Sequence, residues 1–199
     1  MPTTVAARMQ RVLSGLRHSN RRLSPLLLAG ALLFLVTAPK SEAAISGKNV
    51  IDGNPVSVEA GKKGTVMVFL SAVCPCSNSH LPVLRHLAAK FPDFSFVAVH
   101  SNKDESAEAT KEYFRTAGLS FPAIQDENLK IANEYGAYKT PHAFLVSREN
   151  KVLYRGGVTS SSSASADGKQ FLEEALSAVQ EGKRIAIPEG RTLGCVIAR

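Results

Sequence analysis

Apolar residues fall in short runs between polar turns, and their period changes along the chain. Thr65-Val-Met-Val-Phe-Leu70 is a continuous apolar stretch behind Gly64, the pattern of a strand covered on both faces. From about Pro75 to Lys90 the period becomes helical, with Leu84, Leu87, Ala88 and Phe91 on one side. Phe94–Val99 repeats the buried-strand pattern. Asp104–Ala117 reads as helix, Phe121–Ile124 as a short strand and Asn128–Tyr135 as a short helix. Ala143–Val146 and Val152–Tyr154 flank the polar turn Ser147-Arg-Glu-Asn150, a hairpin signature. Ahead of these, Val50-Ile51 and Val56–Val58 read as short strands around a turn at Asp52-Gly53-Asn54-Pro55. Ser160–Ser165 is a Ser/Ala-rich loop, Gln170–Gln180 a last helix, and 182–199 a tail.

Strands alternating with helices, then a hairpin and a final helix, predict an α/β layered domain with a central mixed sheet. Pro92, Pro122 and Pro141 fall at element edges, where a missing N–H is tolerated. No internal repeat is visible.

Charge changes this picture mainly at the start of the chain. The formal net charge is +7, but residues 1–43 hold Arg8, Arg11, Arg17, Arg21, Arg22 and Lys40 against Glu42 alone. Residues 44–199 then carry 18 basic and 16 acidic residues, which removes the main support for a nucleic-acid partner. The basic stretch to Arg22 precedes an apolar run within 23–38, whose strictly apolar part, Leu26–Val36, suits an export signal better than a membrane span. Ser41-Glu42-Ala43 offers small residues for cleavage before Ala44, so 1–43 is expected to be a removed signal and 44–199 the mature domain, periplasmic or secreted. Two other readings stand: an organelle transit peptide, or an uncleaved anchor that touches the membrane only through 23–38.

The candidate chemistry lies in Val73-Cys74-Pro75-Cys76-Ser77-Asn78, between the strand and the helix. A cysteine at a helix mouth meets free N–H groups and the positive end of the macrodipole, which favour its thiolate. Pro75 suits the first helical position. Ser77 can donate its hydroxyl to that sulfur. Cys76 lies two residues on, and two positions along a helix project to nearly opposite sides, so a Cys74–Cys76 bridge needs a distorted helix start. Cys195, beside Gly194 in the tail, is a candidate resolving thiol if the tail folds back. The three cysteines allow at most one internal disulfide and leave a spare thiol. His80, four residues past Cys76, completes a C-x-C-x3-H set with Cys74 and Cys76 that suits Cu(I). His86, His100 and His142 lack such spacing, although His142 follows Pro141 and can face the sulfur. Lys103–Lys111 reads as a solvated mixed-charge face.

In the order of these motifs, the chain resembles the thioredoxin-like superfamily, and most closely its redoxin or peroxiredoxin-like branch, over roughly 50–199. Cys74 matches the nucleophilic first cysteine, Ser77 stands in the place of the second, and Pro82 lies where such helices carry a proline. Thr140-Pro141 matches the cis-proline element. The runs Tyr135–Val146, Val152–Gly157 and Pro188–Ile197 look like this branch too. The resemblance implies a thioredoxin-like fold, and substrate pairing with the Thr140 backbone. The chain departs from the pattern: it has no tryptophan, Val73 precedes the cysteine, and Met67 replaces the proline of the peroxidase motif, although Ser71 is present.

The expected activity is thiol–disulfide exchange by Cys74, resolved by Cys76, Cys195 or an external thiol. It would act on a protein or small-molecule disulfide, with an electron-donor protein and no cofactor. Peroxide reduction, a copper module built on Cys74, Cys76 and His80, and a silent scaffold are the alternatives.

Overall fold

The computed structural model describes residues 44–164 and 168–199, all within the unit Lys40–Arg199. The export segment 1–43, its apolar run 23–38 and the end of the Ser/Ala loop at Ser165 lie outside the described residues. No described helix is long and apolar enough to cross a membrane.

Nine strands and four α-helices are described, with one 3-10 turn at Glu127–Leu129: β1 (Ala44–Asn49), β2 (Pro55–Glu59), β3 (Gly64–Phe69), α1 (Pro75–Lys90), β4 (Phe94–His100), α2 (Ala107–Thr116), β5 (Ala123–Gln125), α3 (Lys130–Tyr135), β6 (Lys139–Thr140), β7 (His142–Val146), β8 (Val152–Gly156), α4 (Phe171–Gln180) and β9 (Cys195–Val196). Seven strands form one sheet in the order β2-β1-β5-β4-β3-β7-β8. Strand β3 runs parallel to β4, and β4 to β5, while β7 and β8 return antiparallel. This mixed sheet flanked by helices is the thioredoxin-like arrangement.

The continuous apolar strands are explained by two cores, one on each face, fed by alternate residues. Val66, Val68, Phe96, Ala98, Ala143 and Leu145 meet Leu81, Leu84 and Leu87 of α1, Phe114 of α2, and Leu172 and Leu176 of α4. Met67, Phe69, Val97, Val99, Phe144 and Val146 point the other way, toward Ala132 of α3 and Ile197 of the tail. Deep burial of the β3 end and of α1 fixes the turn between them, and that turn carries the cysteines.

Several boundaries differ from the sequence reading, among them the short strand expected at Phe121–Ile124, which is Ala123–Gln125. Val50 and Ile51 are in a turn, not a strand: Asn49 Oδ1 accepts from the Ile51 amide at 2.8 Å, and Gly53 adopts φ +75°. The strand is Ala44–Asn49, where only Ile45 is buried, so its pattern is too weak to read. Helix α2 starts at Ala107 because Ser106 caps it, its hydroxyl accepting from the Ala109 amide, while Glu105 is engaged elsewhere. Helix α3 starts at Lys130 because Asn128 and Leu129 have φ near +57° and +58°. The tail is structured: β9 pairs antiparallel with β6, and Ile197 is 1% exposed.

Candidate active site

Cys74 occupies the N-cap of α1, with extended backbone angles (φ −84°, ψ 114°), Pro75 following and no side-chain capping bond. The first-turn amides are therefore free to face its sulfur, and the Ser77 amide does so. Ser77 contributes this amide rather than the expected hydroxyl, whose oxygen instead accepts from the Ser71 amide at 3.2 Å.

Strand β6 supplies the opposite wall. The Cys74 thiol donates to the Thr140 carbonyl at 3.2 Å, and the Thr140–Pro141 peptide is cis. The Thr140 hydroxyl is buried with no oxygen or nitrogen partner, leaving it free to donate to sulfur when Cys74 ionises.

The third wall is the tail. Thr140 is in register with Cys195 in the β6–β9 ladder, so the backbone expected to pair with substrate is occupied by the chain itself. Gly194 makes this possible: its φ is +154°, and a Cβ there would lie 2.0 Å from the Thr140 carbonyl oxygen. Beyond it, the Ile197 amide donates to the Tyr138 carbonyl, and Arg199 donates to Asn133 Oδ1 and the Ala137 carbonyl.

The sulfurs of Cys74, Cys76 and Cys195 consequently all lie within 4.8 Å of one another, as free thiols. The opposite-sides expectation for Cys74 and Cys76 does not hold, because Cys74 is outside the helix and its extended backbone turns the sulfur back over the first turn. The copper set with His80 does not form. His80 Nδ1 lies 2.7 Å from the Cys76 carbonyl and Nε2 lies 3.0 Å from the Thr159 hydroxyl, so both ring nitrogens are engaged. His142 packs against the Tyr138 and Phe144 rings. Burial, aided by Arg155, lowers its pKa to about 4.

The three thiols are electrostatically unequal. Burial is the largest influence on Cys74 and opposes ionisation. It is outweighed by hydrogen bonds from the Cys195 thiol, the Thr140 hydroxyl and the amides of Ser77 and Cys195, which bring the pKa from 9.0 to about 7. Cys195 is pushed up to about 12, first by donating to Cys74, then by burial and the neighbouring negative charge. Cys76 is raised by burial and then by the charge on Cys74. One thiolate thus forms at neutral pH, beside two thiols that keep their protons.

The cysteine turn is held by a group that the sequence reading passed over as part of a solvated face. Glu105, whose side chain is 1% exposed, accepts from the Ser71 hydroxyl at 2.5 Å, the Ala72 amide at 2.7 Å, Asn102 Nδ2 at 2.5 Å and His100 Nε2 at 3.1 Å. Burial raises its pKa, but the bonds from His100, Ser71 and Ala72 win and hold it at about 2. A lone acid in a mixed-charge run carries no signal of this; only the chain reversal after β4 brings it under the cysteine turn.

The site is rimmed by exposed apolar side chains. Val73 is 67% exposed, Val196 70% and Tyr138 48%, and each lies within two residues of Cys74, Cys195 or Thr140.

A Redoxin family model matches residues 40–170. Thiol-disulfide oxidoreductase ResA of Bacillus thuringiensis (strain Al Hakam) is 26% identical over 104 residues, 52% of this chain and 60% of that protein. Thiol:disulfide interchange protein CycY of Rhizobium leguminosarum bv. viciae is 36% identical over 96 residues, 48% of this chain and 50% of that protein. The chain thus spans between half and three-fifths of the length of these relatives. Among solved structures, an uncharacterized conserved protein of Geobacillus kaustophilus aligns with a TM-score of 0.66 at 30% identity, covering 80% of this chain and 90% of that one.

Proposed function

The chain belongs to the Redoxin family, and from that premise we propose that it is a thiol–disulfide oxidoreductase whose nucleophile is Cys74 and whose resolving thiol is Cys195. The observation that carries this reading is the placement of the Cys195 sulfur within 4.8 Å of Cys74 by the β6–β9 ladder; there a Cys195 that keeps its proton favours the Cys74 thiolate, whose pKa is lowered to about 7. The names of the ResA and CycY relatives support the same reaction class.

The Cys74 thiolate attacks one sulfur of a substrate disulfide. A Cys74–substrate disulfide forms, the substrate S–S bond breaks, and the second substrate sulfur leaves as a thiolate. Cys74 then no longer carries charge, so the main influence holding the proton on Cys195 disappears. Cys195 gives that proton to the departing thiolate and attacks Cys74 Sγ; the Cys74–substrate bond breaks, and the first substrate sulfur leaves as a thiolate that takes a proton from solvent. The products are a Cys74–Cys195 disulfide and a fully reduced substrate, and an external dithiol donor restores the two thiols. Cys74 is 1% exposed, so the tail strand must yield before a substrate sulfur arrives. The apolar rim of Val73, Tyr138 and Val196 suits a polypeptide substrate better than a small polar disulfide.

Export fits the basic, then apolar, start of the chain, and cleavage before Ala44 leaves the pairing of Ala44 with Glu59 in the β1–β2 ladder intact. N-terminal sequencing of the protein recovered from producing cells tests it: an intact Met1 refutes cleavage.

The exchange reading is tested by reducing a protein disulfide with the wild type and with Cys74→Ser, Cys76→Ser and Cys195→Ser variants. Mixed disulfides are trapped and mapped by mass spectrometry. Cys74→Ser is expected to abolish exchange, Cys195→Ser to accumulate the Cys74–substrate adduct, and Cys76→Ser to turn over. Adducts on Cys76 would overturn the assignment.

A further inference from the structure

We propose that the reduced site is also a binding site for one soft monovalent cation of the Cu(I) type, held by the sulfurs of Cys74, Cys76 and Cys195. This goes beyond the exchange reading, because it uses the thiols as ligands and needs no disulfide substrate.

Geometry comes first. Three sulfurs around a trigonal ion, with metal–sulfur bonds of about 2.3 Å, stand roughly 4 Å apart. The three sulfurs here already lie within 4.8 Å of one another, so closing onto an ion requires shifts of less than an ångström. Each sulfur is fixed by a different piece of backbone: Cys74 by the N-cap of α1, Cys76 by its first turn, and Cys195 by the β6–β9 ladder. Such a site is built before the ion arrives. Cys76 and Cys195 are half-buried, which leaves a path to them.

Donor chemistry then selects the ion. The cluster is all sulfur, with no carboxylate or imidazole in it. That set disfavours Mg²⁺ and Ca²⁺, which take oxygen, and favours thiophilic ions. Three ligands without a fourth suit Cu(I) better than Zn²⁺, whose structural sites take four. His80 is not free to be that fourth ligand. The positive end of α1 faces the cluster and offsets the negative charge gathered there.

Binding is ligand exchange with no change in oxidation state: Cu⁺ leaves its carrier, each protonated thiol that binds releases its proton to solvent, and three Cu–S bonds form. An occupied site has no free sulfur to attack a disulfide, and a Cys74–Cys195 disulfide has no thiolates to hold the ion. Exchange and metal loading are mutually exclusive states of one cluster.

The test uses the full reduced chain without oxygen, with Cu(I) supplied as its bicinchoninate complex. One equivalent per chain should transfer, and X-ray absorption of the loaded protein should show three sulfur neighbours and no nitrogen. Cys76→Ser and Cys195→Ser should each weaken binding by more than the roughly 10- to 100-fold that loss of a merely supporting partner costs. No transfer, a two-sulfur spectrum, a nitrogen neighbour, or unchanged affinity in Cys195→Ser would each overturn the proposal. Since no disulfide is present, a protein that exchanges thiols normally yet fails here refutes the metal site alone.

Discussion

Replacing Cys195 with alanine removes the strongest hydrogen-bond donor to the Cys74 thiolate and keeps the Cys195 amide. The four donors outweigh burial and together lower the Cys74 pKa from 9.0 to about 7. If the largest of them accounts for about half of that drop, its loss moves the midpoint up by about one unit, or about 1.4 kcal/mol. At pH 7 the thiolate fraction then falls from about one half to about one tenth. An alkylation rate falls less, because a more basic thiolate is the better nucleophile, by about threefold per unit. The discriminating assay is therefore thiolate absorbance near 240 nm against pH, in a Cys76→Ser background so that one sulfur dominates. Cys195→Ser serves as the control: a hydroxyl still donates, so its midpoint should stay near that of the parent while the second thiol is gone. An alanine variant that titrates with its parent would refute the claim that Cys195 tunes Cys74.

Further outcomes follow from the same geometry. Glu105→Gln should destabilise the fold on the order of 3 kcal/mol at pH 7, read by urea unfolding. The Glu105 pKa is depressed from 4.5 to about 2, so its contribution is complete above about 4.5 and is lost as pH falls toward 2, where variant and parent should converge. Gly194→Ala should detach the tail strand, because the new Cβ meets the Thr140 carbonyl, and amide exchange at Ile197 should speed up by at least about tenfold while α1 stays protected. Unchanged protection at Ile197 would show that the tail does not depend on glycine there. Leu84→Ala, at a fully buried position of α1, should cost about 2–5 kcal/mol by thermal or urea unfolding, and a loss below 1 kcal/mol would mean that the helix face is not packed as described.

The local pattern of residues determined a good deal by itself. Helix α1 runs from Pro75 to Lys90 as its period indicates, since proline at the first position and a face of Leu81, Leu84 and Leu87 leave few alternatives. The buried strands β3, β4 and β7 announce themselves as uninterrupted apolar runs, because a strand covered on both faces has no polar side to show. Cys74 at the strand–helix turn was legible for the same reason: its position follows from two neighbouring elements. Tertiary structure decided what depends on distant segments. Strand β1 is nearly polar and exists because β2 and β5 pair with it. Glu105 reaches Ser71 across 34 positions, and Cys195 reaches Cys74 through a two-residue ladder on Thr140. A chain's periodicity encodes burial within an element, whereas a meeting between segments far apart in sequence is fixed only when the sheet order brings them together.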